Sequence, residues 1–247
     1  MARNYNIALH LLDNTQTTRL SVDQILGSLY PNVLWAPGEY TQDKLTLRGH
    51  PTLLPGLYTL ELRLYAYTQG SFVPLPMQDS PTQQPIKGQL VLGRVRIMDP
   101  AESQPPQIAK IVNLGQAIQL GGYDLPNRQA CPGQSLPLAL HWEAVATPAG
   151  DYTVFTQLIG PDGLVWGQQD NQPQQGRYPT TAWSVGDKVV DRYAIPVRQD
   201  APPGVYHLFV GMYNLATGER LPAIDKRGQR LPDDAVTLSD VEVACQP

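Results

Sequence analysis

The chain has 247 residues, a length that suits one large or two modest domains. Its 24 prolines and 21 glycines disfavour a helical protein, because a proline inside a helix costs about 3 kcal/mol, and they favour short strands joined by turns. The net charge of −4, with no dense Lys/Arg cluster, argues against nucleic acid as a partner, and no apolar run reaches the ~20 residues of a membrane span.

Strand-like alternation begins almost at once, in the stretch NYNIALHLLD. The clearest strand of the first half covers residues 58–65 and has apolar residues at every second position: Tyr58, Leu60, Leu62 and Leu64. A period of two places these side chains on one face, toward a core. The Pro-Gly pair just before them predicts a turn, and LVLGRVRI predicts the last strand of this half.

Residues 99–107, DPAESQPPQ, are rich in proline and polar residues and predict a linker. Beyond them, SLPLALHWEA alternates in the same way, and IGPDGLVWGQQD predicts a hairpin around its Pro-Asp-Gly turn. The stretch YHLFVGMY, residues 206–213, repeats the alternation of residues 58–65, and TLSDVEVA predicts the closing strand. Both halves are therefore predicted to be β.

The two halves repeat one another at an offset of 148 residues. WAPG at 35–38 matches WSVG at 183–186, and PGLY at 55–58 matches PGVY at 203–206. The offset falls to 147 upstream of these motifs and to 146 downstream, as small changes in loop length would cause. This constancy indicates an internal duplication of one structural unit.

The repeated unit predicts an all-β protein of two tandem antiparallel Ig-like or jelly-roll β-sandwich domains, at residues 1–100 and 101–247. The second unit has about fifty residues (101–150) before its strand DYTVFTQLIG, whereas only three residues precede NYNIALHLLD in the first. The first sandwich is therefore expected to lack its N-terminal strands, which leaves an open sheet edge. We expect the chain to be a fragment of a longer protein, or a second chain to complete this domain.

Several motifs of the second unit resemble a known family. They read IQLGGYDL, CPGQSLPLALHW, DAPPGVY and VGMYNLATGERLP. They are similar to a β-sandwich region at the C-terminal end of large polytopic membrane proteins that resemble dolichyl-phosphate-mannose-protein mannosyltransferases of green non-sulfur bacteria. The likeness covers most of 110–244 and, through the repeat, 5–98 more weakly. It implies an extracytoplasmic module tethered to a membrane-bound glycosyltransferase-like protein, and it carries over no catalytic residue.

No catalytic or metal-ligand motif is visible. There is no G-x-S-x-G elbow, no glycine-rich phosphate loop, and no His or Cys pair at a ligand spacing, so we expect no catalytic residue, metal or cofactor. Asp43 and Asp191 stand at matched positions before a strand, which favours a hydrogen bond to a loop backbone over a glycosidase role. The matched Trp35 and Trp183 similarly favour packing.

Four aromatic residues are candidates for stacking on sugar rings: Trp166, Phe209, Tyr213 and Tyr178. Outward-facing Phe209 lies beside Gly211, which leaves room for a shallow apolar platform. Cys131 and Cys245 precede the second strand and follow the last strand of the second unit, which an Ig-like arrangement places at the same end. A disulfide between them agrees with an oxidising compartment, while two free thiols remain the alternative.

The leading functional prediction is a non-catalytic accessory or interaction module of a larger, membrane-bound glycosyltransferase-like protein. Its expected location is extracytoplasmic, and its expected partner is the remainder of that protein or a chain that completes the first domain. The first alternative is a carbohydrate-binding module that uses exposed aromatic residues. The second is a hydrolase, which needs a cleft with convergent carboxylates. Neither nucleic acid binding nor membrane insertion is expected of this chain.

Overall fold

The computed structural model describes residues 3–68, 70–78, 85–86 and 88–245. These residues form β-strands, short 3₁₀ turns and loops, which confirms the predicted all-β class. The chain divides into two compact units, Met1–Ile97 (unit 1) and Met98–Pro247 (unit 2). This division falls three residues before the boundary expected from the sequence.

The described part of unit 1 forms one five-stranded antiparallel sheet and a small hairpin. The strands in chain order are β1 (Asn6–Leu12), β2 (Thr18–Ile25), β3 (Gly56–Thr68), β4 (Ser71–Pro74), β5 (Met77–Gln78), β6 (Pro85–Ile86) and β7 (Gln89–Ile97). The sheet has the order β2-β1-β3-β4, β7 pairs with the other half of the long β3, and β5 pairs with β6. A 3₁₀ turn covers Asn32–Leu34. Within the described residues of this unit, the two-stranded β5–β6 pair is the only other sheet.

Unit 2 contains two five-stranded sheets. Its strands are β8 (Ile108–Leu114), β9 (Ile118–Asp124), β10 (Gln129–Ala130), β11 (Ser135–Ala144), β12 (Tyr152–Ile159), β13 (Val165–Asn171), β14 (Lys188–Pro196), β15 (Gly204–Asn214), β16 (Ala223–Asp225) and β17 (Val236–Val243). Sheet I has the order β10-β17-β15-β12-β13, and sheet II has the order β14-β11-β9-β8-β16. The pairs are antiparallel except for β10 with β17. Short 3₁₀ turns cover Pro100–Ser103, Pro173–Gly176, Thr180–Ala182 and Pro232–Asp234.

The core of unit 2 lies between its two sheets. The alternating side chains of β15 that the sequence placed inside are fully buried: Tyr206, Leu208, Val210 and Met212. A direct hydrogen bond joins the sheets, because the hydroxyl of Tyr123 in β9 donates to the carbonyl oxygen of Leu238 in β17 (2.6 Å). Each fully buried aliphatic side chain stabilises such a core by roughly 1.5–3 kcal/mol.

The sheet of unit 1 and sheet I of unit 2 share one register. The matched cross-strand pairs are Ile7–Leu64 and Val154–Met212, Leu9–Leu62 and Thr156–Val210, and Leu11–Leu60 and Leu158–Leu208. The irregularities match as well. A bulge follows Leu60 where β3 pairs with β7, and another follows Leu208 where β15 pairs with β17. Because bulges re-aim the strands around them, their recurrence shows that both sheets bend at the same point.

A tyrosine hydroxyl fixes the turn before the central strand of each unit. Tyr58 donates to the carbonyl oxygen of Leu54, and Tyr206 donates to that of Pro202, both over 2.7 Å. The acceptor lies four residues upstream in each case, as in the tyrosine corner of β-sandwiches. The Pro-Gly motif that the two halves share is thus tied to its strand by the same bond.

The predicted linker at residues 99–107 is partly packed against unit 2. Glu102 is only 5% exposed, and its carboxylate accepts a hydrogen bond from Gln174 Nε2 (3.3 Å). Asp99 forms an ion pair with Arg192 in β14 (3.0 Å). The segment therefore begins unit 2 and is not a free connection.

Cys131 and Cys245 form a disulfide in the structure. Cys131 directly follows β10, which runs parallel to β17, and Cys245 lies two residues beyond β17, so the Cα atoms are 4.9 Å apart. This Cα–Cα distance lies within the range usual for protein disulfides. The bond ties the last residues of unit 2 to the edge of sheet I.

Candidate functional site

The matched tryptophans serve the scaffold in both units. Trp183 Nε1 donates to the carbonyl oxygen of Tyr178 (3.0 Å), and Trp35 Nε1 donates to that of Tyr30 (2.8 Å). Trp183 is buried, whereas Trp35 is half-buried. The same side-chain-to-backbone bond at both positions agrees with the packing role expected from the repeat.

Tyr178 is not positioned to stack on a sugar. Its side chain is 2% exposed, and its ring packs against that of Trp183 with the centroids 6.1 Å apart. Its hydroxyl donates a hydrogen bond to the Asp187 carboxylate. The sequence-based prediction for Tyr178 is therefore wrong, because a ring without exposed surface has no face to offer a ligand.

The matched aspartates bind loop backbone, as the repeat predicted. Asp191 Oδ1 accepts from the backbone N–H of Gln174 (2.8 Å). Asp43 accepts from two consecutive backbone N–H groups, those of Gly27 (2.9 Å) and Ser28 (3.2 Å). In each unit the carboxylate thus holds the loop that precedes it in the chain.

Asp191 carries a perturbed carboxyl group that no ligand can reach. Burial raises its pKa from 3.8 to about 6, against the lowering effect of hydrogen bonds from the Tyr193 hydroxyl (2.6 Å) and the backbone of Gln174. A raised carboxyl pKa is common in catalytic sites, but a general acid must lie within hydrogen-bond reach of its substrate. Asp191 is 1% exposed, so we assign it a structural role.

Trp166 keeps only part of its ring accessible. Its Nε1 donates to Asp162 Oδ1 (3.0 Å), and the guanidinium carbon of Arg198 lies 4.5 Å from the ring centre. A cation in this place covers one face of the indole. A ligand that stacks on Trp166 must therefore use the other face or displace Arg198.

The apolar platform expected beside Phe209 is filled by another ring. A Cβ atom added to Gly211 would lie 2.4 Å from Phe155 Cζ, so the Phe155 ring rests on the Gly211 backbone. The guanidinium carbon of Arg220 lies 4.4 Å from the centre of that ring. Phe209 itself is half-buried and meets the ring of His207 edge-on. The expectation of an open platform is therefore corrected to a packed aromatic surface.

A tyrosine–aspartate pair occupies the same outward position in both units. Tyr213 donates to Asp170 Oδ2 (3.3 Å) in unit 2, and Tyr65 donates to Asp23 Oδ1 (2.6 Å) in unit 1. Each pair spans the strand between its members, β12 or β1. Burial raises the pKa of both tyrosines, and the adjacent carboxylates raise it further. At neutral pH the phenols therefore stay protonated and donate to the carboxylates.

A cavity opens beside each pair, and we call the two the Tyr–Asp cavities. The cavity in unit 1 measures about 380 Å³, and its further lining residues include Ala8, His10, Arg63 and Phe72. The cavity in unit 2 measures about 200 Å³, and its further lining residues include Phe155, Gln157 and Arg220. Ala8 and Phe155 stand at matched positions, opposite Asp23 and Asp170, so the larger side chain accounts for the smaller cavity.

Each Tyr–Asp cavity is lined by a residue with a buried polar atom that has no partner in the described structure. These atoms are His10 Nδ1 in unit 1 and Asp170 Oδ1 in unit 2. Leaving a buried polar atom unpaired costs about 1–3 kcal/mol, which a hydroxyl group or a water molecule removes by bonding to it. Together with the phenol, the cation and the aromatic ring, these atoms suit a ligand that carries several hydroxyl groups.

Comparisons with known proteins leave this site unassigned. No family model matches the chain, and no curated protein matches it significantly. Among the described residues, no three His, Cys, Asp or Glu side chains are grouped so as to hold a metal ion. No helical segment of the described residues is long and apolar enough to span a bilayer.

Sequence reasoning identified Tyr213 but missed its partners Asp170, Phe155 and Arg220. A usable signal existed for the aspartate, because Asp23 and Asp170 match at the offset of 147 residues that holds for β1 and β12. Asp170 and Tyr213 are 43 positions apart, and only the strand order of sheet I brings them together.

Proposed function

We propose that this chain is a non-catalytic accessory module of a larger, membrane-bound glycosyltransferase-like protein, located outside the cytoplasm. The observation that carries the proposal is that four matched polar side chains outside the Tyr–Asp pairs serve the scaffold. Asp43 and Asp191 hold loops, and Tyr58 and Tyr206 hold turns. The disulfide of unit 2 supports a location in an oxidising compartment.

Protease accessibility tests this role. The full reading frame that encodes the chain is expressed in bacteria, and the cells are separated into soluble and membrane fractions. We expect an antibody against the chain to detect it in the membrane fraction, and protease added to spheroplasts to degrade it. Detection in the cytoplasmic fraction, with protection until the cells are lysed, contradicts the proposal.

Carbohydrate binding is a second candidate function, favoured by the Tyr–Asp cavities. Tyr213 and Asp170 provide a hydrogen-bond donor and an acceptor, Arg220 provides a cation, and the half-buried ring of Tyr213 provides an aromatic surface. Sugar hydroxyls bind such mixed polar and aromatic surfaces. The matched pair in unit 1 gives the chain two such places.

A glycan array followed by titration tests this candidate with matched variants. We expect Asp23→Asn and Asp170→Asn together, one change in each cavity, to weaken binding at least about tenfold, since one charge-assisted hydrogen bond contributes about 1.5–3 kcal/mol. Trp166→Ala is the control, because Trp166 lies outside both cavities. If Trp166→Ala or Phe209→Ala abolishes binding and the variant with both aspartates changed binds as before, the ligand lies on those aromatic residues and not in the cavities.

A further inference from the structure

Residues 40–49 belong to no strand or helix and pair with no strand in the described structure. No hydrogen bond between backbone groups joins them to any other part of the chain that the structure describes, and the contacts of this segment with residues 24–28 run through the Asp43 carboxylate. Their exposure nevertheless alternates like that of a strand: Thr41, Asp43, Leu45 and Leu47 are half-buried, and the residues between them are exposed. An edge with this pattern is a template for pairing with another strand.

Unit 2 shows what the equivalent segment does when a partner is present. An offset of 148 places residues 40–48 on β14, in which Val189, Asp191, Tyr193 and Ile195 are buried. There the segment pairs antiparallel with β11 over nine residue pairs, from Ser135–Pro196 to Glu143–Lys188. In the part of unit 1 that the structure describes, by contrast, no strand of the β11 type lies beside residues 40–48.

The apolar face of unit 1 shows the same difference. Leu90 is 38% exposed and Leu92 is 50% exposed, whereas the matched residues of unit 2, Val236 and Leu238, are 0% and 8% exposed. Leu60, Leu62 and Leu64 are half-buried, although their counterparts in β15 are fully buried. The sheet that covers these counterparts is sheet II, to which β8, β9 and β11 belong.

We propose that unit 1 binds a three-stranded antiparallel β-sheet segment of the β8–β9–β11 type, whose edge strand pairs antiparallel with residues 40–48. The register follows from unit 2, where Leu138 lies opposite Tyr193 and Leu140 lies opposite Asp191. The incoming strand therefore places apolar side chains opposite Leu45 and Asp43. This inference names the partner of the module proposed above and rests on that role.

A backbone acceptor in unit 1 supports this choice of occupant. In unit 2 the Tyr123 hydroxyl of β9 donates to the carbonyl oxygen of Leu238, at the bulge of β17. Leu92 stands at the matched bulge of β7. A segment of the β9 type can thus make the same bond to Leu92. A second copy of this chain fits less well, because its own β8, β9 and β11 already cover sheet I of that copy.

The test supplies the segment within the full chain. A copy of residues 107–149, with Cys131→Ser in the copy, is fused ahead of Arg3. Arg3 is the right place for the junction because it matches Gly150, the residue that follows the copied segment in unit 2. The Gly150 carbonyl accepts from Thr180 Oγ1 (2.7 Å), and the Arg3 carbonyl accepts from Asn32 Nδ2 (2.9 Å). Hydrogen exchange is followed by mass spectrometry. We expect exchange of the amides of residues 40–48 to slow at least about tenfold relative to the unfused chain.

A matched fusion with Leu138→Lys and Leu140→Lys in the copy is the control, and we expect it to leave residues 40–48 exchanging as in the unfused chain. Adding Leu45→Lys to the first fusion should restore fast exchange. Residues 204–214 report whether unit 2 stays folded in every variant. Equal exchange of residues 40–48 in both fusions overturns the proposal. So does protection that grows with concentration in the unfused chain, since the occupant is then a second copy. A negative result here leaves the protease result on cellular location unchanged.

Discussion

The buried carboxyl group of Asp191 predicts an unusual pH dependence of stability. Its pKa is about 6 in the folded chain, against 3.8 for an ordinary aspartate, because burial disfavours the charged form. A raised pKa in the folded state means that folding takes up a proton between these two values. The stabilisation is complete below pH 3.8 and is lost as the pH rises through 6. At about 1.4 kcal/mol per pKa unit, the difference between the two values corresponds to about 3 kcal/mol.

Asp191→Asn keeps the side-chain shape and removes the titration. Its amide oxygen still accepts from the backbone of Gln174, and its amide nitrogen can donate to Tyr193. We expect the free energy of unfolding of the variant, relative to the wild type, to rise by about 3 kcal/mol between pH 3.5 and pH 7. Urea unfolding followed by tryptophan fluorescence measures this, since three of the four tryptophans lie in unit 2. Asp43→Asn controls for the loss of a carboxylate that holds a loop.

Taking the difference between variant and wild type at each pH removes the contribution of the other titrating groups. A difference that stays constant from pH 3.5 to pH 7 refutes the assignment of this pH dependence to Asp191. If the wild type instead becomes more stable relative to the variant as the pH rises, the pKa of Asp191 is lowered in the folded chain and the sign of the predicted shift is wrong.

Three further predictions concern unit 2. Replacing Cys131 and Cys245 with serine opens a loop whose ends are 114 residues apart, so we expect the free energy of unfolding to fall by about 4–5 kcal/mol in urea, and an unchanged midpoint contradicts this. Tyr206→Phe leaves a turn carbonyl without its donor, and we expect a loss of about 1–2 kcal/mol with an unchanged circular dichroism spectrum. Gly211→Ala pushes a Cβ atom into the Phe155 ring, so we expect a loss of about 1–3 kcal/mol. This loss should become smaller but not vanish in the Phe155→Ala background, because the Asp234 carbonyl oxygen also lies 2.9 Å from the added Cβ; fully additive effects of the two changes contradict the contact with Phe155.

Much of the fold was predictable because the same strand pattern occurs in both halves of the sequence. The alternation in residues 206–213 placed Tyr206, Leu208, Val210 and Met212 inside, and all four are fully buried. The same alternation in residues 58–65 predicts the same face, but Leu60, Leu62 and Leu64 are only half-buried. Periodicity states which way a side chain points, whereas burial also depends on whether a second sheet covers that face.

The candidate site was less predictable, because our reasoning treated shared residues as architecture. That rule holds for Asp43 and Asp191, but the Tyr–Asp pairs are shared and line cavities. The prediction that Tyr178 stacks on a sugar was wrong because this tyrosine is itself a shared scaffold residue. It matches Tyr30, and both lie beside a tryptophan whose indole N–H binds the tyrosine's own carbonyl group. Contacts between side chains far apart in sequence depend on strand order, which alternation alone does not reveal.

The position of the disulfide also determines how unit 2 responds to mechanical tension. A force pulling on the C-terminal end enters at Cys245 and passes through the sulfur atoms directly to Cys131. Residues 132–244, which contain most strands of both sheets, lie outside that load path. When the chain is stretched by its two ends, we therefore expect the residues before Cys131 to unfold and extend. The disulfide carries the force past residues 132–244, so these residues are not extended.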